Sequence, residues 1–149
     1  MLEKYFSNVY TKFKMSLYAK IFHQDIDGEY DLSAVEVLCV ELIYALGRPT
    51  INEFSTFANL SAPNAAYKVA KLVKKGYVKR MQSETDKREF HLEVTDKYMQ
   101  TYGITYDYIN TVMQRIRDRF SAEEVEKLEE ILRALDEELM PEVRQYNER

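Results

Sequence analysis

The chain has 149 residues, 46% of them hydrophobic, with a formal net charge of −4 and a single cysteine. That length supports one domain with a real core, and the composition excludes wholesale disorder. The acidic balance argues against a general polyanion binder, and a lone cysteine excludes an intramolecular disulfide.

The first segment carries apolar residues at Leu2, Tyr5, Phe6, Val9, Phe13, Leu17 and Ile21. That spacing predicts a helix with one apolar face, ending near the polar, glycine-containing stretch "HQDIDGEYD". Charges are scattered through this segment, so it lacks a signal-peptide core. No run anywhere approaches the roughly 20 apolar residues that cross a bilayer. The expected compartment is the cytosol.

In "LSAVEVLCVELIYALGRPT", Ser33 and Glu36 form a capping box, in which each side chain satisfies an unpaired backbone N–H. Val35, Leu38, Leu42 and Leu46 follow at helical spacing, and Gly47 and Pro49 stop the helix. Thr50 and Glu53 form a second box. It opens a short helix to about Ala58 that packs Ile51, Phe54 and Phe57. Asn59 tolerates the left-handed conformation that ends it. Ser61 caps the next helix, with Pro63 in its first turn, where a missing N–H does no harm. Ala65, Val69, Leu72 and Val73 form its inward stripe. Asn64, Tyr67, Lys68, Lys71, Lys74 and Lys75 point outward, and Gly76 ends it.

Two strands follow, "YVKRMQ" and "EFHLEV". In the second, Phe90, Leu92 and Val94 alternate with Glu89, His91 and Glu93, which predicts one buried face. The loop between the strands carries Asp86, Lys87 and Arg88. From Ser61 to Arg88 there are eight cations and two anions, a local charge of +6 in an acidic chain. A local anion-binding face is the reading we adopt over a merely solvated one. Two helices joined by a tight turn and followed by a β-ribbon make a winged helix, whose second helix is the one that enters a major groove.

After Thr95, the residues Tyr98, Tyr102, Tyr106, Ile109, Val112 or Met113, Ile116 and Phe120 predict one long helix. Ser121 and Glu124 form a third capping box. Val125, Leu128, Leu132, Leu135 and Leu139 then repeat like a coiled-coil seam. This seam exceeds what a small winged helix needs. Its partner is the first helix, a second chain or both, and we expect a dimerisation region built from both chain ends that includes Leu2, Phe6, Val9 and Phe13. The expected fold is mainly α with a small β-wing. A winged helix-turn-helix (32–95) is flanked by N- and C-terminal dimerisation helices (1–30 and 96–149).

An enzyme is not expected. There is no phosphate-binding glycine loop, no paired metal ligands and no nucleophile–base signature, and no cofactor is implied. His23, His91 and Cys39 are too scattered for a metal site. Cys39 lies mid-helix among apolar residues, as a buried inert thiol does; redox sensing would need an exposed, low-pKa thiol. Tyr44, Tyr98, Tyr102 and Tyr106 read as core or interface packing, with a pocket for an aromatic effector as the alternative.

Three segments together resemble the multiple-antibiotic-resistance regulator (MarR) family of bacterial repressors. "LSAVEVLCVELIYAL" is similar to the capped helix ahead of its winged helix, "LVKKGYVKR" to the end of its recognition helix and first wing strand, and "DKREFHLEVT" to its wing signature. "FSAEEVEKLEEILRAL" resembles its final helix. Lys87 stands where the signature has its first arginine, and Ala66 where threonine is common. The resemblance implies a homodimer on double-stranded DNA, with the recognition helix in a major groove and the wing in the minor groove. Arg88 would enter or border that groove, oriented by Asp86 through a forked hydrogen bond, and Lys87 would contact phosphate; these two roles are interchangeable. Ser61, Asn64, Tyr67, Lys68 and Lys71 would contact phosphates or base edges. The rival expectation is a winged helix that binds protein rather than DNA.

Overall fold

Local signals at the helix ends decide most of the boundaries in the computed structural model, which describes residues 1–27, 31–143 and 145–146. Among the described residues, seven α-helices and two strands run in the order α1 (Leu2–Asp27), α2 (Ala34–Leu46), α3 (Ile51–Phe57), α4 (Ala62–Lys74), β1 (Val78–Gln82), β2 (Phe90–Val94), α5 (Asp96–Tyr102), α6 (Ile104–Arg119) and α7 (Ala122–Ala134). A π-helical turn, Leu135–Leu139, follows α7. The capping boxes at Ser33–Glu36 and Ser121–Glu124 are complete. Thr50 Oγ1 accepts from the Glu53 N–H and donates to its carboxylate. Asn59 takes φ +52° at the turn between α3 and α4. Helix α1 continues through His23 to Asp27, further than its sequence suggests; the rest of the expected loop, 28–30, lies outside the described residues.

The chain divides into two compact units. The winged-helix unit spans Ala19–Gly103. Its core is built from Val37, Val40, Ile43 and Leu46 of α2, Phe54 of α3, Ala65, Val69 and Leu72 of α4, Val78 and Leu92 of the ribbon, and Tyr98 and Tyr102 of α5. The strands pair antiparallel with Val78 opposite Val94 and Gln82 opposite Phe90. A bridge from Thr50 to His91, with Leu92 N–H donating to Pro49 O at 2.8 Å, covers the outer side of β2.

Four expectations need correction here. The buried stripe of α2 is Val37, Val40, Ile43 and Leu46; Val35 and Leu38 are exposed. This helix is apolar on nearly every side, so spacing alone does not choose a face. Phe57, at the end of α3, is exposed while Phe54 is fully buried. On β2, His91 is buried and Phe90 exposed: the Thr50 bridge shields one, and the other lies past the core toward the ribbon tip. The helix expected after Thr95 breaks at Gly103, whose N–H caps α5 on Met99 O. A Cβ at that glycine would stand 1.9 Å from Met99 O, so no larger residue fits this turn.

The helical unit holds Met1–Tyr18 and the helices from Ile104 onward. Phe13 of α1 meets Tyr108 of α6 edge to face at 5.6 Å between ring centroids. A groove of about 650 Å³ runs between α6 and α7, where Met113, Ile116, Val125, Leu128 and Leu132 are joined by Arg117, Glu129, Arg133 and Asp136. No residue of α7 is buried. The expected seam is regular only to Leu132; Leu135 and Leu139 fall in the π-helical turn, which shifts their direction.

Candidate nucleic-acid interface

Helix α4 is the element expected to enter a groove. Its first turn is fixed by Ser61, whose hydroxyl accepts from the Asn64 N–H at 3.3 Å. Ala65, Val69 and Leu72 hold the helix against the core, which leaves Asn64, Tyr67, Lys71 and Lys74 on the exposed side. The Tyr67 ring is 64% exposed, and Lys71 Nζ lies 5.7 Å from its centroid. Lys68 is only half-exposed, on a flank of the helix. Its charge reaches Cys39 of α2: burial raises the thiol pKa, and Lys68 pulls against that rise. Cys39 itself is half-buried, less enclosed than its apolar sequence neighbours suggest.

The far end of α4 is anchored more firmly than its sequence suggests. Lys75, which helical spacing points outward, donates to Asp31 O at 2.6 Å and to both Glu36 carboxylate oxygens at 3.1 and 3.0 Å. Lys71 Nζ stands 3.4 Å from the same carboxylate. Burial pushes the Glu36 carboxyl up, but the Ser33 N–H, Lys75 and Lys71 together bring it down to about 2. From the other side, Lys97 donates to Lys75 O at 2.7 Å and lies 4.4 Å from the Tyr77 ring centroid. The last turn of α4 is thus tied to the start of α2 and the start of α5. None of these partners is close in sequence, so no local signal announces them.

The wing loop is held by its own hydrogen bonds. Ser83 N–H donates to Glu89 O, Glu89 N–H to Asp86 O, and the Gln82 amide to Lys87 O at 2.7 Å. Ser83 Oγ accepts from the N–H groups of Thr85 and Asp86. The forked contact expected at the tip is present: Arg88 Nε and Nη2 donate to the two Asp86 oxygens at 3.2 and 3.3 Å, and the Arg88 N–H adds a third bond at 3.0 Å. Arg88 holds the Asp86 carboxyl below its ordinary range. The Arg88 side chain is 91% exposed, and Lys87 beside it is exposed too. At the wing base, Glu93 bridges Arg48 at 3.4 Å and Lys79 at 3.1 Å.

The tyrosines considered as a pocket separate into two groups. Tyr98 and Tyr102 are buried and stacked at 5.1 Å between centroids, and the Tyr77 ring meets both edge-on. Tyr98 donates to Glu41, Tyr77 donates to Asp31, and the Tyr102 hydroxyl accepts from the Leu32 N–H. Tyr77 is the member that spacing missed. The Tyr98 and Tyr77 phenols are pushed up chiefly by burial and then by their carboxylate partners. This cluster is filled core, with α5 clamped through phenol–carboxylate bonds. Tyr44 is half-buried in α2, and Tyr106 lies beyond Gly103 on α6 and is exposed. Among the described residues no three His, Cys, Asp or Glu side chains gather as a metal site, and no helix is long and apolar enough to cross a membrane.

Residues 32–90 match the MarR family. Among solved structures, a MarR family protein from Bacillus stearothermophilus is 18% identical with a TM-score of 0.58, over 93% of this chain and 92% of that one. Streptococcus pneumoniae FabT in complex with DNA is 20% identical with a TM-score of 0.53, over 93% and 94%. S. aureus MepR bound to ethidium bromide is 15% identical with a TM-score of 0.51, over 94% and 97%. No curated protein matches the sequence. At these identities the likenesses speak to the fold, and the family match speaks to the segment that carries α2, α3, α4, β1 and the wing loop. The segment 32–90 thus lies within a winged helix and is similar in sequence to the MarR family.

Proposed function

We propose that the chain is a cytoplasmic, homodimeric DNA-binding transcriptional regulator, acting as a repressor on a pseudo-palindromic promoter site. The observation that carries this reading is the pairing of an exposed polar and basic α4 face with an ordered wing whose tip presents Lys87 and Arg88. FabT, solved with DNA, supports it as a relative in fold. Asn64 reads an adenine edge, Tyr67 contacts a phosphate or thymine methyl, and Lys68 and Lys71 contact phosphates or guanine edges. Ser61 at the helix start contacts phosphate. Lys74, exposed beside them, joins the phosphate contacts. Arg88 sits in or beside the minor groove, oriented by Asp86, and Lys87 meets phosphate.

A second copy of the chain covers the apolar residues of α1 and α7. Leu2, Phe6, Val9 and Leu132 are all exposed in a single chain, and the groove between α6 and α7 has an apolar floor flanked by charged side chains. Phe13, Val125, Leu128, Leu135 and Leu139 complete that interface. The half-sites then lie about one helical turn apart, and occupancy of the promoter blocks transcription. An aromatic effector is part of the proposal, since MepR was solved with ethidium bromide; the filled Tyr98–Tyr102 stack directs such a ligand away from those two rings.

Fluorescence anisotropy with promoter fragments, repeated across salt concentrations, tests the reading. Tight binding to a subset, weakening steeply with salt, is expected because phosphate contacts release counterions. Uniform weak binding at every salt concentration would replace it with a winged helix that docks on protein.

A further inference from the structure

The Glu36 carboxylate holds two cations of α4, and it holds them unequally. Lys75 is the inner one: its side chain is 28% exposed, and Nζ lies within 3.1 Å of both carboxylate oxygens. Lys71 is the outer one, 47% exposed, at 3.4 Å from a single oxygen. Its Nζ also lies near the ring of Tyr67, a residue of the exposed face. Lys71 therefore stands between an internal anion and the surface where DNA would arrive.

When Lys71 leaves, Glu36 is not stranded. Lys75 remains on both oxygens, and the Ser33 N–H still donates to Oε2 at 2.8 Å. A carboxylate that keeps two partners loses a third at small cost, since a partly exposed ion pair contributes little net energy. We propose that Glu36 is an internal stand-in for a DNA phosphate. It holds Lys71 in the free protein and yields it to the duplex on binding, and so sets affinity and salt sensitivity for every sequence alike. In this role Glu36 is a positioning residue that never touches DNA. The inference rests on the DNA-binding reading above.

The mechanism has a thermodynamic signature. A phosphate neutralised by Lys71 releases a counterion, but the Lys71–Glu36 pair is broken in exchange and leaves the carboxylate with one cation fewer, so the net gain is reduced. Glu36→Gln keeps the shape and an oxygen to accept from Ser33, and removes the charge. Glu36→Gln is expected to bind operator and random duplexes alike about two- to fivefold tighter at ~0.1 M salt. The slope of log affinity against log salt steepens by up to about 0.9. Adding Lys71→Ala to that variant abolishes both gains. Glu36→Gln with the affinity and slope of the parent, or with weaker binding, overturns the proposal. Should that variant fold poorly, lysine ammonium NMR on the parent decides: DNA shifts the Lys71 signal and spares Lys75, and an unmoved Lys71 signal overturns the exchange. A parent with no salt-dependent DNA binding overturns both readings; a binding parent matched by Glu36→Gln overturns this one alone.

Discussion

The two units of the chain solve the problem of apolar surface in opposite ways. In the winged-helix unit, large side chains such as Phe54, Ile43, Leu72 and Leu92 are buried within one chain. In the helical unit, Leu2, Tyr5, Phe6, Val9, Ile131 and Leu132 are exposed, and no residue of α7 is fully buried. Exposed apolar residues scattered singly are ordinary, but runs along the face of a helix mark an interaction surface. The contrast teaches that one unit encloses its large apolar side chains, while the other leaves apolar helix faces open, as the proposed dimer requires.

Truncation separates the two most sharply. Phe54→Ala empties a fully enclosed site and is expected to cost about 3–5 kcal/mol in urea denaturation. Leu132→Asp places a charge where the proposed partner packs. Sedimentation should show self-association weakened by about 2 kcal/mol or more, with the winged-helix unit still folded. A monomeric parent would remove the basis of this prediction and of the proposed dimer.

Acid distinguishes them less strongly. Glu36 has its pKa lowered to about 2 in the folded chain, below the ordinary 4.5. Its contribution is therefore complete above pH 4.5 and declines as pH falls through the folded value. That decline is at most about 3 kcal/mol, and solvent screening of the Lys71 side of the cluster makes it smaller. The Glu36→Gln variant should show a correspondingly flatter acid limb in thermal melts. Arg88→Ala is the smallest in stability terms: a side chain this exposed is expected to change folding by less than about 0.5 kcal/mol. The same substitution should weaken DNA binding, so stability and affinity separate at the wing.

The features legible in the sequence are those whose causes are local. Ser33, Ser61 and Ser121 cap the helices they appear to cap, because a side chain and a backbone N–H three residues away settle the matter. The inward stripe of α4 was readable because its other side is polar. Helix α2 offered no such contrast, and only packing against α4 and the ribbon selected Val37, Val40 and Ile43. Tyr98, Tyr102 and Tyr106 kept their spacing straight through the break at Gly103, so periodicity concealed a joint. At the candidate site, the Asp86–Arg88 fork was foreseeable from a two-residue separation. The Glu36–Lys75 and Lys97–Lys75 contacts were not, since their partners lie 39 and 22 residues apart.

The ring cluster of Tyr77, Tyr98 and Tyr102 has an optical consequence. The chain contains twelve tyrosines and no tryptophan, so its near-ultraviolet circular dichroism comes chiefly from phenol rings held in fixed asymmetric surroundings. Three of those rings are interlocked at centroid distances of 5.1–6.2 Å, and two of them donate to carboxylates. Exposed rings such as Tyr5, Tyr10 and Tyr67 turn more freely and contribute less. The protein thus carries a built-in chromophore that reports whether α5 is seated, and no dye or label is needed to watch it.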